Sequence, residues 1–221
     1  MVRNWIPELA AETLSGFFGE PALLRYEIQY PRILSLLPAA QRINNFCTMR
    51  ASALERLACT SALAEAQRQK SMMGESFFPL EVTASFQIMR CGGGLLSGFA
   101  DGCRQMGARG TRLTRLSRTF DLGTGHELPL AGLFHPGSLW RSCVLAALEK
   151  EIAVREAAEP GSYYRNAADI CRRRLSLHGY YLADDGLAIW YPQECIAPGN
   201  TGIPTFLIRY EHIKSMLQRE L

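Results

Sequence analysis

Four histidines and a pair of adjacent aspartates are the side chains best suited to acid–base or metal chemistry in this sequence. The histidines are widely separated, at positions 126, 135, 178 and 212. Zinc enzymes usually draw imidazole ligands from closely spaced histidines, and no such pair is present. His126 and His135 flank a predicted strand, and ordinary surface roles are the simpler interpretation. Asp184 and Asp185 precede Gly186, a pattern typical of a turn. We therefore predict no metal site.

A second possible catalytic motif is incomplete. Residues 119–123, Thr-Phe-Asp-Leu-Gly, are superficially similar to the Thr-Phe-Asp-Asp-Gly metal motif of polysaccharide deacetylases. Leu122 stands where the second carboxylate would be, and it cannot bind a metal. No serine, cysteine or threonine lies in a nucleophile elbow. We predict a protein that is not an enzyme, has no catalytic residues and needs no cofactor. The alternative is a cell-wall-directed hydrolase with an unrecognised site.

Aromatic side chains offer a binding chemistry instead. They cluster in a predicted hairpin, which is followed by the polar loop 194–201. Aromatic rings stack on sugar faces and anchor protein interfaces. The candidate ligand-binding residues are Tyr180, Tyr181, Trp190, Tyr191, Glu194 and Asn200. The alternative is that Trp190 and Tyr191 only pack the sheet.

The seven cysteines form no recognisable metal motif. They occupy positions 47, 59, 91, 103, 143, 171 and 195, with no C-x-x-C spacing. Reduced, mostly buried thiols in an intracellular protein are the favoured interpretation. One or two disulfides, for example between Cys91 and Cys103, remain an alternative that spacing cannot decide.

Composition indicates a folded protein without a nucleic-acid surface. The 221 residues are 48% hydrophobic and 20% charged, with a net charge of +3. Such a chain can bury a sizeable core, and so weak a positive charge does not favour nucleic acid as a partner. The arginines at 109, 112, 115 and 118 do not change this, because a period of three alternates faces along a strand.

No stretch is long and apolar enough to predict a transmembrane helix. Pro7, Glu8 and Glu12 interrupt any export signal at the start of the sequence, so we expect a cytoplasmic protein.

Hydrophobic periodicity predicts the elements that would position these residues. Strands are expected at 24–30, 80–90, 95–103, 111–122, 180–182, 187–191 and 204–210. Helices are expected at 38–70, from about 138 to 159, at 162–176 and from about 211. Grouped strands with short turns predict an α+β fold, with antiparallel sheets and helices packed against them. We expect two halves, 1–105 and 106–221, that form one body.

Several phrases in the second half resemble a known family. They are residues 120–134, from Phe-Asp-Leu to Leu-Phe, then 181–191, 194–199 and 204–210. Together they are similar to the domain of unknown function at the C-terminus of the anti-sigma factor RsiV, which also accompanies the deacetylase PdaC. The strand near Tyr26–Tyr30 and the helix with Ile43 and Asn44 resemble the companion N-terminal half. Where many members have a histidine, this sequence has Arg109.

The resemblance implies a bacterial binding or sensing module of otherwise unknown function. RsiV senses lysozyme, so the implied ligand is a lysozyme-like protein or a cell-wall saccharide. Members are usually exported or membrane-anchored, unlike the location expected from the start of this sequence. No role can be assigned to Arg109 from the family's histidine, and the oligomeric state is left open.

Overall fold

The computed structural model describes residues 6–105, 107 and 110–219. The chain divides into two compact units. The first unit contains Pro7–Gln87 and Ala100–Thr114. The second contains Ile88–Phe99 and the chain from Arg115 onward. Compared with the expected division after residue 105, the second unit also includes Ile88–Phe99, because Leu95 and Phe99 pack in its hydrophobic clusters.

A five-stranded sheet follows the chain order from β1 to β5. Its strands are β1 (Leu9–Phe18), β2 (Leu24–Ile33), β3 (Leu80–Gly92), β4 (Leu95–Gln105) and β5 (Thr111–Asp121). The pairing of β1 with β2 is antiparallel, whereas β2 and β3 are parallel over Leu24↔Leu80 to Ile28↔Ala84. A parallel pair needs a long crossover connection, and the helical segment between β2 and β3 supplies it. The α+β class is confirmed, with this one parallel pair in a mostly antiparallel architecture.

β1, the strand at the edge of the sheet, was not predicted from the sequence. Among the described residues it pairs with β2 alone, from Leu9↔Ile33 to Phe18↔Leu24. None of its ten residues is fully buried. A strand of this kind has a weak alternation of polar and apolar residues, so periodicity does not reveal it.

The crossover begins at Pro38, as predicted, and continues to Met73. It comprises α1 (Pro38–Leu57), a π-helical turn (Ala58–Ala62) and α2 (Leu63–Met73). Asn44 on α1 accepts from the Ile33 amide at 2.8 Å and donates to the Ile33 carbonyl at 2.9 Å. Small side chains let the helix approach the sheet closely, since Ala58, Ala62 and Ala66 are buried beside Leu24 and Leu80.

The second unit adds a three-stranded antiparallel sheet in the order β6-β7-β8. Its elements are α3 (Trp140–Ala158), α4 (Ala167–Arg174), β6 (Tyr180–Leu182), β7 (Gly186–Trp190) and β8 (Thr205–Arg209). The helix predicted from about residue 211 is instead two short 3₁₀ turns, Tyr210–His212 and Lys214–Met216. The helix predicted over 162–176 starts later, at Ala167, because the Tyr164 amide donates to the Ile196 carbonyl.

Among the described residues, no helix has the length and apolar character needed to cross a membrane. Burial concentrates in the second unit, where α3 and α4 pack on one face of β6–β8 through residues such as Val144, Leu148 and Cys171.

All seven cysteines are free thiols. Burial raises the pKa of the Cys47 thiol to about 12, and burial is the main cause that raises the pKa of Cys171 to about 11. The thiolate is the reactive form, so both should react with a thiol reagent at pH 8 about a hundredfold or more slowly than in the unfolded chain. Peptide mapping after timed alkylation measures this, with urea-unfolded protein as the control. Equal labelling of Cys47 in both states would contradict the burial seen here.

Candidate functional site

The predicted aromatic hairpin lies in the core. Tyr180 and Tyr191 are 1% exposed and Tyr181 is 8% exposed, while Trp190 is partly buried. A ligand-binding role would need these rings exposed, and three of the four are buried. Periodicity did not reveal this because both faces of the β6–β8 sheet are covered, so inward and outward residues are equally apolar.

Hydrogen bonds fix the two buried tyrosines in place. The Tyr180 hydroxyl donates to the Leu128 carbonyl at 2.5 Å, and the Tyr191 hydroxyl donates to the Cys171 carbonyl at 3.1 Å. Burial is the main cause that raises the pKa of both phenols. Buried polar groups need such partners, so these hydroxyls have a structural role.

The opposite face of the hairpin packs within the second unit as well. The Tyr181 ring lies 4.8 Å from the Phe99 ring, and the Arg115 guanidinium stacks 3.9 Å from the Phe99 centroid. The Trp190 indole donates to Ser117 Oγ at 2.6 Å, and that hydroxyl donates to the His178 carbonyl. The alternative that Trp190 packs the sheet is the one that these contacts support.

Glu194 and Asn200 are exposed, in a loop held by its own contacts. Gln193 Nε2 donates to the Gly199 carbonyl at 3.0 Å, and Glu194 takes a left-handed backbone conformation with φ of 64°. A ligand-binding role for Glu194 and Asn200 stays a prediction.

Two of the carboxylates in the motifs described above, Asp121 and Asp185, form ion pairs with arginines. The Asp121 carboxylate accepts from the Thr124 amide at 2.9 Å and from Arg219 at 2.8 Å. Partial burial acts to raise the pKa of Asp121, but these hydrogen bonds outweigh it and hold the pKa below its usual value. Asp185 lies 3.5 Å from Arg209 in the β6–β7 turn. Over the described part of the chain, no three His, Cys, Asp or Glu side chains are grouped as metal ligands would be.

The described arginines of the strand β5 do not form one basic row. Arg115 stacks on Phe99, and Arg118 forms an ion pair with Glu127 at 2.8 Å. Arg109, at the position where the RsiV and PdaC type of domain often has a histidine, lies outside the described residues.

An open groove in the first unit is the feature that the sequence analysis missed. It has a volume of about 560 Å³ and lies on the helix-free face of β1, β2 and β3. Its principal lining side chains are Ser15, Phe17, Arg25, Glu27, Glu81 and Thr83. The alternation of β2 and β3 produces this face, because Leu24, Ile28, Leu80 and Val82 are buried and the residues between them point away from the helices.

Strand register aligns the groove residues in two rows. Phe17 is opposite Arg25, which is opposite Glu81. In the next row, Ser15 is opposite Glu27, which is opposite Thr83. Directly opposed side chains on one face lie about 5 Å apart, so each row presents a continuous surface.

The groove side chains are largely available to a ligand. The Phe17 ring is 63% exposed, which is unusual for a large apolar side chain on a strand. Arg25 and Glu81 have no hydrogen-bond or ion-pair partner among the described residues. Glu27 accepts one hydrogen bond, from Gln29 Nε2 at 3.0 Å. The sequence does indicate a solvent-facing side of β2, since Arg25, Glu27 and Gln29 alternate with apolar residues. The groove itself could not be predicted, because it also requires β1, which was not recognised as a strand.

Comparisons with known proteins place the fold. No protein-family model and no curated protein matches the sequence. A DUF3298 family protein from Bacteroides fragilis superposes with a TM-score of 0.68, at 13% identity over 96% of this chain and 94% of that chain. The chain has the DUF3298 fold. A DUF3298 protein from Pseudomonas aeruginosa gives a TM-score of 0.62, at 16% identity over 96% of this chain and 95% of that chain. Identities this low show the DUF3298 fold and leave function open.

Proposed function

We propose that this protein is a non-enzymatic binding module that binds a saccharide in the groove on β1, β2 and β3. The observation that carries the proposal is the pair Arg25 and Glu81, two charged side chains that face the groove without protein partners. A donor and an acceptor held side by side on a rigid sheet suit the hydroxyl and acetamido groups of a sugar.

The surrounding groups fit the same ligand class. Ser15 and Thr83 add hydroxyl groups that both donate and accept, and the exposed Phe17 ring offers a flat surface for a sugar face. One arginine and two glutamates give the groove a net charge of about −1, which disfavours polyanions such as nucleic acids.

Binding without catalysis is the chemistry that these carboxylates support. Glu27 and Glu81 are exposed, and Arg25 is opposite Glu81 in the same row. General acid–base work on a saccharide usually needs one carboxyl group in an apolar environment that keeps it protonated. No observation favours the hydrolase alternative over binding.

The family resemblance supports the cell-wall origin of the ligand. The phrases at 120–134 and 181–191 resemble the RsiV and PdaC type of domain, and we infer that this chain is a divergent example. The cytoplasmic location stays a prediction, and in that compartment the ligand would be a soluble cell-wall fragment.

Calorimetric titration with purified muropeptides tests the proposal. We expect saturable binding that Arg25→Ala weakens about tenfold or more, because a charged hydrogen bond is lost. Gln87→Ala is the matched control, since Gln87 is an exposed polar residue further along β3 and outside the groove lining.

Two results would overturn the saccharide proposal. The first is the absence of heat with muropeptides at millimolar concentration. The second is binding of lysozyme without binding of muropeptides, which would assign the module to a protein ligand. Loss of affinity in both Arg25→Ala and Gln87→Ala would reject the groove as the site.

A further inference from the structure

The outer edge of the five-stranded sheet carries an inference that goes beyond ligand binding. Among the described residues, β2 is the one strand that pairs with β1, and the register runs without a break from Leu9↔Ile33 to Phe18↔Leu24. The other edge of β1 therefore presents backbone N–H and C=O groups along ten residues. Such an edge is a template for another strand.

β1 lacks the usual devices that prevent pairing. It contains no lysine, no proline and no bulge, and its sole charged residue is Glu12. That carboxylate is already engaged, because Arg32 Nη1 donates to Glu12 Oε1 at 2.5 Å. Natural sheets normally protect a long edge with charge, proline or a bulge, so an unprotected edge indicates a partner.

We propose that β1 pairs antiparallel with β1 of a second copy of this chain, around a two-fold axis at Leu14. An isologous contact of this kind needs a strand that is complementary to itself. A two-fold axis perpendicular to the sheet keeps the helix-free faces of both copies on the same side. The five-stranded sheets of the two copies would therefore form one continuous sheet.

The Leu14 register is the one that the side chains of β1 favour. It pairs the half-buried Leu14 with its copy, and it sets Glu12 opposite Gly16, which has no side chain to obstruct the carboxylate. An axis at Glu12 would place the Glu12 carboxylates of the two copies opposite each other. An axis at Thr13 would place Glu12 of one copy opposite Leu14 of the other. Like charges directly opposite each other are unfavourable.

The same register predicts the neighbours on the helix-free face. Thr13 would lie opposite Ser15 of the second copy, and Ala11 opposite Phe17. Both Thr13 and Ser15 are exposed, so charge can be introduced there without disturbing a core. Alanine is small enough to leave the Phe17 ring open on that face.

Sedimentation velocity over a wide concentration range tests the proposal with two matched double variants. Thr13→Lys with Ser15→Lys opposes like charges at both pairs, and we expect the dimer dissociation constant to rise roughly tenfold or more. Thr13→Glu with Ser15→Lys opposes unlike charges at the same pairs, keeps the same substitution opposite Glu27 and should retain the dimer. Ser85→Lys is the control on an inner strand, where Ser85 is exposed on the same face.

Three results would overturn this proposal. One is a wild-type protein that stays monomeric at the highest concentration. Another is equal sedimentation of the two double variants. The third is dissociation by Ser85→Lys. Circular dichroism of each variant ensures that a monomer is still folded. Sedimentation measures the oligomeric state without any ligand, so a negative muropeptide titration would not affect the test of the dimer.

Discussion

Replacing Phe206 with alanine is expected to lower the free energy of unfolding by about 3–5 kcal/mol. Phe206 on β8 is 1% exposed, within the main core of the second unit. Its ring lies 6.3 Å from the Tyr191 ring and 6.0 Å from the Tyr163 ring, and the Arg155 guanidinium lies 4.9 Å from its centroid. The close packing of rings and helix leaves little room to fill the cavity.

Urea unfolding followed by tryptophan fluorescence and circular dichroism measures this loss. Leu207→Ala is the matched control, because Leu207 is the next residue on β8 and is 45% exposed on the other face. We expect a change below about 1 kcal/mol there, as for most surface substitutions. Equal losses of unfolding free energy in the two variants would contradict the placement of Phe206 in the core and Leu207 at the surface.

Gly186→Ala is expected to destabilise the second unit by about 1–3 kcal/mol. Gly186 begins β7 opposite Arg209 on β8. A Cβ added there would lie 2.5 Å from the Ile208 carbonyl oxygen and 3.0 Å from its carbon, so the backbone of β8 would have to shift. The strain arises from a close approach between strands.

Gly92→Ala is the control that shows whether the loss at Gly186 comes from the close approach of the strands or from replacing any glycine. Gly92 ends β3, and a Cβ added there would meet nothing within 4 Å. We expect unchanged or slightly raised stability, because alanine restricts the unfolded chain. Thermal unfolding of both variants makes the comparison, and a destabilised Gly92→Ala with an unchanged Gly186→Ala would contradict it.

The local elements were largely predictable from the sequence. Pro38 marks the start of the long helix, and the hairpin of β3 and β4 turns at Gly93–Gly94 as the triple glycine indicates. These features depend on near neighbours in the chain, because proline fixes φ and glycine tolerates positive φ. The edge strand β1 was not predictable in this way, since its alternation is weak.

The candidate site could not be predicted from the sequence. The ring-rich hairpin at 180–191 suggests a ligand surface, yet Tyr180 and Tyr191 are buried because helices cover one face of its sheet and β4 and β5 the other. The groove instead gathers residues from three strands that are far apart in sequence, such as Ser15, Arg25 and Glu81.

Sequence alone was enough to predict the α+β class and the positions of most strands and helices, and it gives a weak net charge of +3. Composition, periodicity and turn residues carry that information locally. The face of each strand that meets water depends instead on tertiary packing, which buries Tyr191 in a core and leaves Arg25 and Glu81 facing a groove. The physical reason is that burial depends on what packs above a strand, and those covering elements come from distant parts of the chain.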